Sequence, residues 1–213
     1  MLIGLYGGTF NPLHKGHIHA ALAVARALEL SHIRLLLAAR PRHRDQPQTE
    51  TQHRWRMLQL GCACSDLLVA DDREINRAGA TYTVDTLREV RAEQPQALPC
   101  WVLGFDSFVT LPSWKSWREL LSLCNLVVLD RPGQQSVTAP AEVRALCDAH
   151  EVETLSPERV GQIVRLNIPM FEVSATQVRS LVSQEKHAGH LLVPPVYDYI
   201  QRHNLFAAME ETV

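Results

Sequence analysis

The residues with the most chemical promise stand near the start of the chain: Gly7-Gly8-Thr9-Phe10-Asn11-Pro12-Leu13-His14-Lys15-Gly16-His17. They join a short apolar run to a helical pattern that begins near residue 16. Glycines let a backbone come close to a phosphate, and a helix start offers unpaired N–H groups and the positive end of its dipole. His14 and His17 are three apart, so in a helical first turn both rings face one side. Two imidazoles beside a row of free N–H groups make a site for a phosphate bridge. A lone histidine would more simply cap or coat the helix, but the pair inside a glycine loop points to phosphate. His19 lies about 200° around the helix from His17 and reads as a surface residue. The loop is not a Walker loop, because no Gly-Lys-Ser/Thr follows the glycines, and it is not the dinucleotide G-x-G-x-x-G fingerprint.

A second group lies far downstream: Val173-Ser174-Ala175-Thr176-Gln177-Val178-Arg179. Ser174 suits the cap of a helix, Thr176 adds a hydroxyl near its free N–H groups, and Arg179 brings a guanidinium just over one turn on. Capped helices with a surface arginine are common, so alone this stretch says little. Paired with the first loop it is informative, because a triphosphate needs donors from more than one side.

Both groups need a scaffold that brings them together. Strand-like runs at 2–6, 33–38, 67–71, 100–104 and 125–130 alternate with helical patterns at 16–29, 51–64, 82–93 and 117–123. The run 2–6 is read as ending in a tight turn at Gly7-Gly8, and Pro95 and Pro99 as stopping the helix before 100–104. Such alternation predicts an α/β fold, a doubly wound parallel sheet covered on both faces. In that architecture ligands sit beyond the carboxyl ends of the strands, where the first loop falls. Further on, a helix is expected at 137–149, a strand at 163–167, and helices at 174–183 and 195–202. The expected organisation is one domain over 1–205, with a small C-terminal helical lobe at about 174–205 and a frayed tail at 206–213.

With 213 residues, 46% hydrophobic and 21% charged, the chain has the make-up of a globular protein. A net charge of -2 argues against holding a nucleic acid polymer by its backbone. The five cysteines, Cys62, Cys64, Cys100, Cys124 and Cys147, follow no metal-knuckle spacing and read as reduced thiols. Of the ten histidines, the seven outside 7–19 are scattered and do not suggest a metal protein. No run approaches the roughly 20 apolar residues of a membrane span, and no basic segment precedes the first apolar run. A cytoplasmic location is expected, with no membrane partner. Oligomeric state is left open.

The two constellations together resemble the H-x-G-H nucleotidyltransferases. Within that superfamily the chain is similar to the bacterial nicotinate mononucleotide adenylyltransferases. Further matches are Thr81-Tyr82-Thr83 with Thr86-Leu87, Gly104-x-Asp106-Ser107, Leu111-Pro112-x-Trp114, Arg131-Pro132-Gly133 and the stretch 191–200. Two departures stand out. Asn11 replaces a frequent aspartate, and Pro41-Arg42-His43-Arg44 replaces Pro-Pro-His-Lys/Arg. The resemblance implies a Rossmann-like fold and transfer of an adenylyl group from ATP to nicotinate mononucleotide, with Mg2+ carried by the ATP phosphates and no protein metal site. It implies catalytic roles for His17 and His14. It places ATP on Gly7, Gly8, Thr9, Phe10, His14, His17, Gly104, Asp106, Ser174, Thr176 and Arg179. The mononucleotide falls to His43, Arg44, Tyr82, Thr83, Trp114 and Arg131. Several assignments keep a plainer alternative: Lys15 as a solvated cation, Asp106 as a helix cap, Trp114 as core beside Trp117, His43 and Arg44 as loop solvation. Pantetheine-phosphate adenylyltransferase, a cytidylyltransferase and a non-catalytic nucleotide sensor are the competing functions.

Overall fold

The computed structural model describes residues 1–38, 49–130, 139–169 and 171–208. β1 (Leu2–Gly8) lacks polar alternation and buries Ile3 and Leu5 completely, as a central strand covered on both faces must. It pairs in parallel with β2 (Ile33–Leu37) on one side and β4 (Leu98–Gly104) on the other. β3 (Leu68–Asp71) extends one edge, and β5 (Asn125–Leu129) and β6 (Ile163–Leu166) extend the other. The six strands run in the order β3-β2-β1-β4-β5-β6, all parallel. The chain winds outward from β1, then crosses back to β4, so the winding reverses between these two central strands. In such sheets ligands usually lie there, beyond the carboxyl ends of the strands.

Helices cover both faces. α1 (Lys15–Ala27) turns Ile18, Ala21, Val24 and Ala25 inward, and α2 (Thr51–Cys62) adds Leu58 and Cys62 to the same apolar layer. The opposite face is covered by α4 (Thr83–Glu93), α5 (Phe105–Val109), α6 (Leu120–Leu123) and α7 (Ala141–His150) through Val84, Leu87, Phe108, Leu120 and Val143. A separate apolar cluster joins Met57 of α2 to Val178 of α8 (Ala175–Ser183) and to Val196 and Ile200 of α9 (Pro194–Arg202). The two C-terminal helices thus pack together on α2. Gly61 permits the close packing of α2, because a Cβ there would run into Leu13.

Some elements depart from the sequence reading. β1 continues through Gly8, so the glycine pair lies in the strand. The bend comes later, at Phe10 with φ 43° and a cis Asn11–Pro12 bond. Pro99 sits inside β4 opposite Ile3, but β5 pairs only from Cys100 onward, so the missing N–H falls beyond that ladder. The region 117–123 splits into a 3-10 turn, Trp117–Glu119, and α6, after Ser116 in the left-handed region at φ 50°. α3 (Arg73–Asn76) and α5 were not foreseen, since one turn is too short to show a period.

Candidate active site

The first loop reaches the carboxyl edge of the sheet and hands over to α1. His14 is the extended cap residue and His17 is third in the helix, so the two rings fall on one side as the spacing predicts. They stack with centroids 3.7 Å apart, and the His14 backbone N–H donates to His17 Nδ1 at 3.4 Å. The Phe10 ring stands edge-on to His17 at 5.1 Å and Tyr6 edge-on to Phe10 at 6.0 Å, which sets the orientation of the His17 ring. Gly7 and Gly8 make room for rings: a Cβ would lie 3.0 Å from Trp101 at Gly7 and 2.7 Å from Phe10 at Gly8. His14 is 6% exposed, and burial pushes its imidazole down from 6.5 to about 4, against a smaller upward pull from a backbone hydrogen bond. It is therefore a neutral N–H donor at pH 7. Oδ1 of the nearby Asn11 is buried without a hydrogen-bond partner.

The second helix start lies beside the first. Ser174 caps α8 by accepting the Gln177 N–H at 3.1 Å. Arg179 donates from Nη2 to Thr176 Oγ1 at 3.1 Å and from Nη1 to the Asn11 carbonyl at 2.8 Å. One guanidinium thus spans both constellations. Gly16 packs so tightly that a Cβ would stand 2.8 Å from Val173 Cγ1. His19, read as a surface residue, also bonds across the gap, to the Pro169 carbonyl at 2.8 Å. Lys15 points elsewhere and donates to the His190 carbonyl at 2.8 Å, tying α1 to the turn before α9.

At the same edge of the sheet, Tyr82 caps α4 and Thr83 begins it. Lys115 lies 4.3 Å over the Tyr82 ring and bonds Asp85 at 3.0 Å, which docks the turn carrying Trp114 onto the start of α4. Trp114 is partly buried against the apolar layer, so one face of it is core. Thr86 is buried and donates to Glu74 at 2.9 Å, while Arg77 forks onto Glu89 and reaches Thr86 at 3.2 Å. This network holds the approach to Tyr82 and gives Thr86 a supporting role. Gly104 caps α5 with open space where a Cβ would be, and Asp106 is exposed in its first turn. His43, Arg44 and Arg131 lie outside the described residues. Among the described residues no group of three or more His, Cys, Asp or Glu side chains could hold a metal ion.

Likeness to other proteins, in sequence and in fold, gives the family. Residues 5–181 match the family described as cytidylyltransferase-like. Over 207 residues the chain is 40% identical to a Chromobacterium violaceum protein named "Probable nicotinate-nucleotide adenylyltransferase", covering 96% of this chain and 98% of that one. A protein of the same name from Pseudomonas syringae pv. tomato is 41% identical over 211 residues, covering 97% and 94%. The chain belongs to the nicotinate-nucleotide adenylyltransferases. In fold it also matches the Plasmodium falciparum nicotinic acid mononucleotide adenylyltransferase complexed with NaAD, with a TM-score of 0.73 at 19% identity over 96% of this chain and 97% of that one.

Two residues of this adenylyltransferase escaped the sequence reading, Arg54 and Lys115. Arg54 is 1% exposed, within the inward stripe of α2 formed with Met57, Leu58, Gly61 and Cys62. An arginine at an apolar stripe position was the available signal. Lys115 gave none, since an exposed lysine in a turn looks like any other.

Proposed function

We propose that the chain transfers the adenylyl group of ATP to the 5′-phosphate of nicotinate mononucleotide, giving nicotinate adenine dinucleotide and pyrophosphate in the cytoplasmic synthesis of NAD. The observation that carries this reading is the junction of two helix starts, bridged by Arg179 to the Asn11 carbonyl with the stacked histidines alongside. The attacking phosphate is already anionic near neutral pH and needs no strong base. The work left to the protein is to bring two anions into line and to neutralise charge on the leaving pyrophosphate.

His17, oriented by Phe10, is assigned to the α-phosphate as charge shifts in the transition state. His14, neutral and buried, donates a hydrogen bond without adding full charge. The start of α8 and Arg179 are assigned to the β- and γ-phosphates. Gly7, Gly8, Thr9, Phe10 and Gly104 shape the nucleotide crevice. Tyr82, Thr83 and Trp114 are assigned to the nicotinate ring and its carboxylate, with the free N–H groups of α4 favouring the acid over the amide. His43, Arg44 and Arg131 are assigned to the mononucleotide. Mg2+ enters on the triphosphate and keeps most of its waters, a mode suited to one exposed carboxylate, Asp106, in an outer-shell role.

Purified protein should be assayed with ATP and each acceptor in turn: nicotinate mononucleotide, nicotinamide mononucleotide and phosphopantetheine. Dinucleotide and pyrophosphate in equal amounts, fastest with the acid mononucleotide, are expected. Product with phosphopantetheine alone overturns the reading, as does ATP binding without pyrophosphate release.

A further inference from the structure

We propose that Arg54 is a positioning residue for adenylyl transfer, its guanidinium locking the loop between β1 and α1 onto the end of β2 and the start of α2. The proposal rests on the functional reading above. Arg54 Nη1 donates to the Thr9 carbonyl at 3.1 Å and to the Ala38 carbonyl at 2.9 Å, and Nη2 donates to Thr51 Oγ1 at 3.1 Å. Ala38 in turn donates its N–H to the Gly8 carbonyl at 2.9 Å. Gly8, Thr9, Ala38 and Thr51 are therefore joined in one closed set of hydrogen bonds with Arg54 at its centre. Thr9 directly precedes Phe10, and Phe10 packs edge-on against His17. The chain of contact from guanidinium to imidazole is Arg54, Thr9, Phe10, His17.

The residue type matters. Arg54 occupies a helix position whose neighbours in the stripe are apolar or small, and burying a cation there costs stability that an apolar side chain would not. Burial accordingly lowers its affinity for a proton below the arginine norm. A planar fork with five donors reaches three acceptors on three segments at once; an ammonium on a flexible stem cannot hold the same geometry. A misplacement of about 1 Å at a reacting group costs roughly 100-fold in rate, so slack in this loop should be read in turnover.

The test uses Arg54→Lys, Arg54→Met and Thr51→Val in the full chain, with folding checked by circular dichroism and thermal melts. Steady-state kinetics are run against ATP and nicotinate mononucleotide. Arg54→Met is expected to lower kcat about 100-fold and Arg54→Lys about tenfold, each with both KM values within about threefold of the parent. Thr51→Val, which removes one acceptor, lowers kcat about threefold and decides the matter if the Arg54 variants do not fold. A lowered melting temperature with unchanged kcat per folded molecule overturns the proposal and leaves Arg54 a purely structural residue. A parent protein that forms no dinucleotide overturns the functional reading and this proposal with it; an active parent and an unchanged variant overturn this proposal alone.

Discussion

His14 and His17 share a stack but differ in their surroundings. His17 has the oriented, less buried ring, so His17→Ala is expected to lower kcat by roughly 100- to 1000-fold while circular dichroism stays that of the parent. His14 carries its proton less readily than a free imidazole. The unfolded chain takes up a proton near pH 6.5 and the folded chain only near pH 4, so unfolding binds protons between these values. The stability due to a neutral His14 is full above about pH 6.5 and is lost as pH falls through about 4, a loss of roughly 3 kcal/mol. Urea unfolding of the parent and of His14→Gln from pH 7 to pH 4 should show a shallower acid decline in the variant. Trp114→Ala is expected to raise KM for the mononucleotide about tenfold and KM for ATP less than twofold. Equal rises would count against a stacked pyridine ring. At this scale the local constellations were legible in the sequence, because spacing alone puts His14 and His17 on one side of a helix start. Arg54 could be marked only by its place in an apolar stripe; its role could not be read, because its partners Thr9 and Ala38 are backbone carbonyls that no side-chain pattern reveals.

Among elements, the decisive feature is the closeness of the starts of α1 and α8. Only glycine at position 16 allows it, since any Cβ would press on Val173 and on the His14 ring. Gly16→Ala is expected to raise KM for ATP about tenfold, and Arg179→Lys to do likewise by losing the bond to Asn11 or to Thr176. Unchanged KM values would separate the two helix starts functionally. All six strands were legible, because strands of a covered parallel sheet are largely continuous apolar runs. Their ends were less so. The glycine pair looked like a turn but is strand, since the chain bends only at Phe10, past both glycines. The short helices α3 and α5 left no periodic trace.

For the molecule as a whole, the parallel sheet was read from alternation, yet its strand order was not, because nothing local says that the chain must cross back from β3 to β4 beside β1. That crossing places the reversal of winding between β1 and β4. The C-terminal helices are held by the Met57 cluster and by Lys15 on the His190 carbonyl. Their attachment sites on α1 and α2 belong to the same helices that carry His17 and Arg54. The central claim is that one triphosphate lies between the starts of α1 and α8. A crystal structure with α,β-methylene-ATP tests it directly. The account predicts phosphate oxygens within hydrogen-bonding distance of His17 and of the backbone N–H groups that begin α8. A triphosphate seated at the start of α4, with His17 and Ser174 both untouched, would contradict it.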